Sequence, residues 1–286
     1  MVDFLKYKLI YFLISVLVIG AGLFSISRWG YDFSIDFVGG TNINYQLTKD
    51  IDGKVLEESL KKNKIEEIDY QLENKKLILR AKPIDEKKEA AFKSDLEKET
   101  GKITVLSSET VGPTLGRETV MKTTFASLLA VLGILIYMSF AFKGFKFAVA
   151  AVLAMIHDLL VVVGTYSLLS HFFGAQFDAM FVTAVLTTMS FSVHDTIVIF
   201  DKMREYMGSG EGTIESLANR ALQETMVRSL NNSMTIVFML LALSMLGGST
   251  IRFFIIALLI GTMTGTYSSP FVATPILVWL EKRKRK

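Results

Sequence analysis

The chain contains no cysteine. No disulfide can staple any soluble part of it, so such a part must be held by its own apolar core. Histidine is scarce too, with three residues. His157 and His194 have no metal-ligand spacing to other histidines or carboxylates, which argues against a metal site. There is no phosphate-binding glycine loop and no Ser/His/Asp arrangement with supporting motifs. "VGGT" (Val38–Thr41) is a turn that no helix follows, as a dinucleotide site would require. An enzyme reading has little to stand on, and no cofactor is implied. The formal net charge of +3 is too small to argue for a nucleic-acid partner.

Apolar residues are abundant and come in blocks. They make up 51% of the 286 residues, and mean hydropathy is +0.41. Charges are mostly confined between the blocks. An α-helix needs about 20 apolar residues to cross a bilayer. Leu9–Ser27, Phe125–Phe142, Phe147–Leu169, Ala179–Phe200 and Phe253–Leu280 meet this or nearly so, and Leu230–Leu246 is a shorter sixth. The expected fold is an α-helical polytopic membrane protein with six transmembrane helices. The first run is longer than a signal-peptide core and lacks an A-x-A-like cleavage site, so it reads as an anchor.

Basic residues orient the helices. Lys6 and Lys8, the Lys143–Lys146 loop, the Lys202–Arg228 loop and the tail "EKRKRK" share one side if six helices alternate. The loops around His171–Gln176 and Gly247–Thr250 have no Lys or Arg. Both termini are therefore expected in the cytoplasm. The expected organisation is residues 1–28 as the cytoplasmic N-terminus and first helix, 29–122 as an extracytoplasmic domain, and 123–286 as helices two to six. The last part includes a cytoplasmic loop, 201–229, and the basic tail.

The domain shows alternating strand patterns at Thr41–Leu47, "IEEIDYQLE", "KLILRA" and "KITVLSSETV", with helical stretches at Asp52–Lys62 and from Pro83 to Glu99. The order β-α-β-β-α-β is the α+β ferredoxin-like pattern. Further on, "GSGEG" (Gly208–Gly212) breaks the chain. Thr213–Met226 then reads as a short amphipathic helix lying along the cytoplasmic membrane face. Pro270 and Pro275 are candidate kinks in the last block. Gly261, Gly265 and Ser269 repeat at four-residue spacing, which permits close helix contact but also arises by chance in a Gly/Ser-rich helix.

Few ionisable residues lie at bilayer depth. Asp158 and Asp195 are central, with His157 and His194 beside them, and Arg228 is at an edge. A central aspartate costs roughly 2.5–3.5 kcal/mol on insertion, so it needs a partner or a use. Thr188, Ser192 and Asp195 share one helix face. Arg228, Asn231 or Asn232, and Thr235 form a similar stripe on the next helix. Two facing polar stripes suggest a hydrated seam in which Arg228 biases Asp195 and protons exchange. Against this stand a buried salt bridge at Asp195, a polar helix contact at Asp158, and an Arg228 that only snorkels to lipid. Asp201 to Glu205 read as a solvated helix end.

Four segments carry a resemblance: "DFVGGT" (Asp36–Thr41), "VGPTLGRE" (Val111–Glu118), "IHDLLVVVG" (Ile156–Gly164) and "SVHDTIVIFDKMRE" (Ser192–Glu205). In this order, spanning nearly the whole chain, they resemble the SecF family of protein-export membrane proteins. In that family the fourth segment more often reads S-I-N-D-T-I-V-V-F-D-R-I-R-E. His194 thus stands in place of Asn, and Lys202 and Met203 in place of Arg and Ile, with Asp195 kept. The shared motif residues include Asp36, Gly39, Gly40, Thr41, His157, Asp201 and Arg204. The resemblance implies half of an RND-type transporter, with Asp195 as the proton-relay carboxylate, Arg228 its partner on the next helix, and Asp158 in the third-helix "HD". It implies SecD as partner, beside the SecYEG channel and the SecA ATPase and with YajC or YidC as further neighbours. A translocating unfolded polypeptide would be the substrate, membrane lipid the surroundings, and protons the coupling ion. Rival readings are a SecD-like or other RND half that moves a small molecule or lipid, and a non-transporting translocon scaffold.

Overall fold

A computed structural model describes residues 4–142, 144–209 and 212–283. Lys143, two residues of the "GSGEG" break and the last three of the basic tail lie outside the described residues. The chain divides into two compact units, Phe33–Thr124 and the remainder.

Among the described residues six helices are long and apolar enough to cross a bilayer. The first is Lys8–Arg28, the second Pro113–Ala141, the third Phe145–Phe173, the fourth Ala179–Ser209 and the fifth Ile214–Leu246. The sixth is interrupted. Ser249–Ser268 and Thr274–Lys282 are α-helical, and Ser269–Ala273 between them forms a π-helical turn. Pro270 lies in that turn. Its missing N–H and its ring disrupt the regular i→i−4 ladder, and the wider turn absorbs the mismatch. The third and fourth helices form the centre of the bundle. Half of each one's most apolar stretch is buried, against 6% for the second helix.

Helix association in a bilayer has little hydrophobic drive, so close packing of small residues carries it. The first and third helices touch at glycine. A Cβ on Gly22 would lie 2.6 Å from the Gly164 Cα. Ser25 and Ser167 share a 2.8 Å hydrogen bond beside that crossing. The fourth and sixth helices also meet at glycine. A Cβ on Gly261 would collide with the Thr188 side chain, and one on Gly265 would lie 3.1 Å from the Ser192 Cα. The Gly261–Gly265–Ser269 stripe is thus consumed inside the bundle.

One expected element differs. Thr213–Met226 is not a separate surface helix, because the fifth helix runs unbroken from Ile214 to Leu246. No glycine or proline separates the two parts. The early residues Ile214, Leu217, Ala218, Ala221 and Leu222 are buried in the main apolar core. Their amphipathic pattern reflects packing on protein.

The α+β unit follows the expected order. Its strands are β1 (Gly40–Gln46), β2 (Glu67–Glu73), β3 (Lys76–Ala81) and β4 (Thr104–Val111), with helices Gly53–Lys62 and Glu86–Thr100. The sheet order is β2-β3-β1-β4, and every neighbouring pair is antiparallel. Ile43, Tyr45, Leu77 and Leu79 from the sheet pack with Leu56, Leu60, Phe92 and Leu96 from the helices. This core does the work that disulfides cannot. Asp95 joins the two helices through Lys62 at 2.9 Å and Asn63 at 3.1 Å. Hydrogen bonds from Lys62, then Lys98 and Asn63, hold its carboxyl well below the usual range.

The "DFVGGT" and "VGPTLGRE" motifs meet in this unit. Asp36 lies in a single helical turn, Ile35–Val38. Gly39 and Gly40 follow with φ of +76° and +144°. A Cβ on Gly39 would lie 3.0 Å from the Pro113 Cα, and one on Gly116 3.0 Å from the Gly39 N. Thr41 is buried. Its hydroxyl bonds Thr110 Oγ1 at 2.9 Å and accepts from the Ile84 N–H at 2.9 Å. A Cβ on Gly40 would lie 2.8 Å from the Ala81 carbonyl oxygen. Gly40→Ala should therefore destabilise the domain by about 1–3 kcal/mol, the cost of forcing a side chain into such a backbone. Protease resistance of the domain, followed with temperature in the full chain, measures it. Unchanged resistance would contradict this account of the motif.

Candidate functional site

Polar side chains buried in the bundle form two centres on either side of the fourth helix. The first is Asp158, in the third helix. That helix buries Ala150, Ala151, Ala154, His157, Asp158, Val161 and Val162, the three-and-four spacing of one helical face. Asp158 is 4% exposed. Its Oδ1 lies 2.8 Å from His157 Nδ1. Its Oδ2 accepts from Ser268 Oγ at 2.6 Å and from Ser192 Oγ. His157 Nε2 lies 2.9 Å from Ser15 Oγ on the first helix. Three helices thus converge on one carboxylate, and the first joins them through His157. Burying it without these donors would cost several kcal/mol.

Ser15, His157 and Asp158 repeat the atom order of a charge-relay triad. Ser15 sits in mid-helix, where neighbouring backbone N–H groups are spent on helical bonds. Among the described residues its hydroxyl bonds the His157 ring alone, so acyl transfer lacks its main stabilising element there. The three side chains form one hydrogen-bonded series between the first and third helices.

The second centre is Asp195, in the fourth helix, 8% exposed. Its Oδ2 accepts from Ser229 Oγ of the fifth helix at 2.7 Å. Its Oδ1 is 4.0 Å from His194 Nδ1, whose side chain is 70% exposed. A crevice runs beside it, lined by Phe191, His194, Asn232, Ser233, Thr262 and Thr266. Thr266 donates to Ser233 at 2.7 Å across that crevice. Asp195 therefore has its buried partners on the fifth helix, Ser229 and Ser233, and one flank toward an opening, whereas Asp158 is enclosed.

Thr188, Ser192 and Asp195 are all buried, as their shared face implies. They serve different neighbours. Thr188 meets Gly261, Ser192 serves Asp158, and Asp195 serves Ser229. The fifth-helix stripe is displaced by one residue from the expected one. The inward face carries Ser229, Ser233, Val237 and Leu240, whereas Arg228, Asn231, Asn232 and Thr235 are exposed. Of these only Asn232 lines the crevice. Arg228 makes no ion pair among the described residues. One residue is about 100° of helical rotation, since a turn holds about 3.6 residues. Ser229 therefore faces Asp195 where Arg228 was expected. The missed residues Ser15, Ser229 and Ser268 carry no charge to draw notice. For Ser229 a signal existed in the apolar residues eight and eleven positions on.

The end of the fourth helix is more than a solvated tip. Arg204 pairs with Asp201 and lies over the Phe147 ring at 5.9 Å. Lys202 bonds Glu205 at 3.0 Å and Glu224 at 3.3 Å. Met203 and Tyr206 are buried. Among the described residues no three His, Cys, Asp or Glu side chains group as a metal site.

Six apolar helices, polar groups buried among them and a soluble α+β domain after the first helix define a multi-pass membrane protein of the transporter type. Comparison with known proteins makes the assignment particular. The family model "Protein export membrane protein SecD/SecF, C-terminal" matches residues 91–283. The protein translocase subunit SecF of Thermobaculum terrenum is 38% identical, over 99% of this chain and 95% of its own length. That of Anaerolinea thermophila is 37% identical, over 97% and 94%. The crystal structure of SecDF from Thermus thermophilus, a translocon-associated membrane protein, superimposes with a TM-score of 0.87 at 30% identity. It is matched over 99% of this chain, which spans 39% of the SecDF chain. A SecDF structure in a super-membrane-facing form gives 0.66. The chain belongs to the SecF family, the SecF subunits of the protein translocase, and is not an enzyme.

Proposed function

We propose that this chain uses the proton-motive force, together with SecD, to promote polypeptide export across the cytoplasmic membrane. Asp195 is the proton-binding carboxylate. The observation that carries this is its position: buried, bonded to a hydroxyl of the neighbouring helix, and beside a crevice. Losing the charge of Asp195 weakens its bond to Ser229 and frees the fourth helix to shift against the fifth. Arg228 lies one helical step from Ser229. A rotation of the fifth helix exchanges hydroxyl for guanidinium at Asp195, which favours its ionised form. Asp158 anchors the other side of the fourth helix through Ser192. SecD supplies the second six-helix set, and SecYEG, SecA, YajC or YidC are the further partners. The unfolded polypeptide engages outside the membrane, where residues 29–122 move with SecD's outer domain. That SecDF structures match this chain at TM-scores of 0.87 and 0.66 supports a fold that takes more than one form. Gradient-dependent export of a preprotein into inverted vesicles, with and without the Asp195 carboxylate, tests the proposal.

The topology within it has its own check. Both termini and residues 201–229 are placed in the cytoplasm by the Lys and Arg asymmetry of the short loops. The chain has no cysteine of its own, so single cysteines at Asn74 and Ser209 report unambiguously. A membrane-impermeant thiol reagent on cells with an opened outer envelope should label position 74 and spare 209. The reverse pattern would invert the assignment.

A further inference from the structure

We infer that His157 is the proton acceptor of a second site, positioned by Asp158 and reached from a groove between the first, third and sixth helices. The site stands on its own geometry; its use in transport rests on the proton coupling proposed above.

Each His157 ring nitrogen has a different neighbour. Nδ1 faces Asp158 Oδ1 at 2.8 Å. That carboxylate also takes hydroxyl donors from Ser192 and Ser268 on its other oxygen. A carboxylate facing Nδ1 keeps that nitrogen protonated. Nε2 is then the site at which the charge of the ring changes. It faces Ser15 Oγ at 2.9 Å, and a hydroxyl can either donate or accept. With neutral His157, Ser15 donates to Nε2. When Nε2 takes a proton it donates to Ser15 instead, and the Ser15 hydrogen turns away from the ring. The ring gains one proton, and of the hydrogen bonds only those of the Ser15 hydroxyl change.

His157 and Ser15 both border a mostly apolar groove. This groove of about 320 Å³ is lined by Ile14, Ser15, His157, Thr165, Met263 and Tyr267, among others. It lies between helices one, three and six, away from the crevice at Asp195. Asp158 is the nearest titratable neighbour, and the others on the surrounding helices are few. Between Lys8 and Arg28 the first helix holds only Tyr11 as a titratable group, and the third holds only His157, Asp158, Tyr166 and His171 beyond Lys146. The fourth holds His194 and Asp195 before Asp201, and the sixth holds Tyr267 between Arg252 and Glu281. Tyr267 is the ring nearest His157, with centroids 6.4 Å apart.

Nitrogen NMR of the full chain in lipid nanodiscs, with labelled histidine, tests this directly. His171→Gln and His194→Asn variants assign the signals. The expected result is an Nδ1 that stays protonated throughout, and an Nε2 that moves from acceptor to N–H as the sample is acidified between about pH 8 and 5. In Ser15→Ala the neutral-form Nε2 signal should shift, because its donor is gone. In Asp158→Asn the neutral ring should lose its fixed tautomer. A His157 ring in one protonation state across this range overturns the inference. So does a mixture of neutral tautomers in the unaltered site. The measurement is also made in Asp195→Asn, where His157 should still titrate. If Asp195→Asn leaves the gradient response intact, the coupling proposal fails while the His157 result stands.

Discussion

Asp195→Asn is expected to insert and assemble normally, and to export preprotein only at the rate seen without a gradient. The amide keeps the shape of the carboxylate, and its Oδ1 can still accept from Ser229, 2.7 Å away in the native site. What it cannot do is bind and release a proton. The close glycine crossing of the first and third helices, Gly22 with Gly164, lies elsewhere. A structural role alone would therefore leave the gradient response nearly intact, because an amide tolerates a buried site better than an unpaired charge does. Asp195→Glu retains a titratable group on a longer arm and should keep part of the response. Ser229→Ala removes one of two buried donors, leaving Ser233, but not the titration, so it should weaken coupling and leave assembly unchanged. Inverted vesicles with and without an imposed proton gradient separate the two contributions. If Asp195→Asn vesicles respond to the gradient as wild type does, Asp195 is a packing residue and the relay is elsewhere.

How much of this was legible in the sequence depends on how far a residue's neighbours lie along the chain. The α+β unit was readable strand by strand. Alternation along Thr41–Leu47 and the helical placing of Leu56, Leu60, Phe92 and Leu96 are local patterns, and the sheet follows from them. The six apolar blocks were readable for the same reason. The two buried aspartates announced themselves by the cost of their burial. Their partners did not. Ser15 and His157 are 142 positions apart, and Asp158 and Ser268 are 110 apart. A serine in an apolar run carries almost no cost and so almost no signal. The pairing of Asp195 with Arg228, where the structure places Ser229, has a related cause. Charge drew the pairing to arginine, while the helical phase set by Val237 and Leu240 pointed to serine. Likewise the amphipathic start of the fifth helix was read against a membrane surface, because periodicity shows that a face is buried without showing what buries it.

Gly164→Leu is expected to separate the first helix from the third and to cost the chain its assembly. The wild-type helices approach so closely that a Cβ on Gly164 would lie 2.7 Å from the Gly22 Cα. Both neighbours there are backbone, which cannot rotate aside. Overpacking a well-filled site costs typically about 1–3 kcal/mol, and a four-carbon side chain at a backbone-to-backbone crossing belongs at the upper end. In lipid no hydrophobic term opposes separation. The polar contacts that depend on the crossing would go with it. These are Ser25 with Ser167, the Ser167 hydroxyl with the Gly30 carbonyl at 2.7 Å, the Tyr31 hydroxyl with the Val163 carbonyl at 2.8 Å, and Ser15 with His157. Together they strap the first helix to the third along most of its length. The absence of native cysteine makes the test direct. A Ser25→Cys, Ser167→Cys pair replaces two hydroxyls 2.8 Å apart and should oxidise readily to a disulfide in the otherwise native chain. Adding Gly164→Leu should suppress that cross-link, whereas Gly133→Leu, with open space around its Cβ position, should not. Cross-linking of the Gly164→Leu chain at the native rate would mean that the crossing tolerates a side chain, and that the glycine in the third-helix motif serves something other than contact with Gly22.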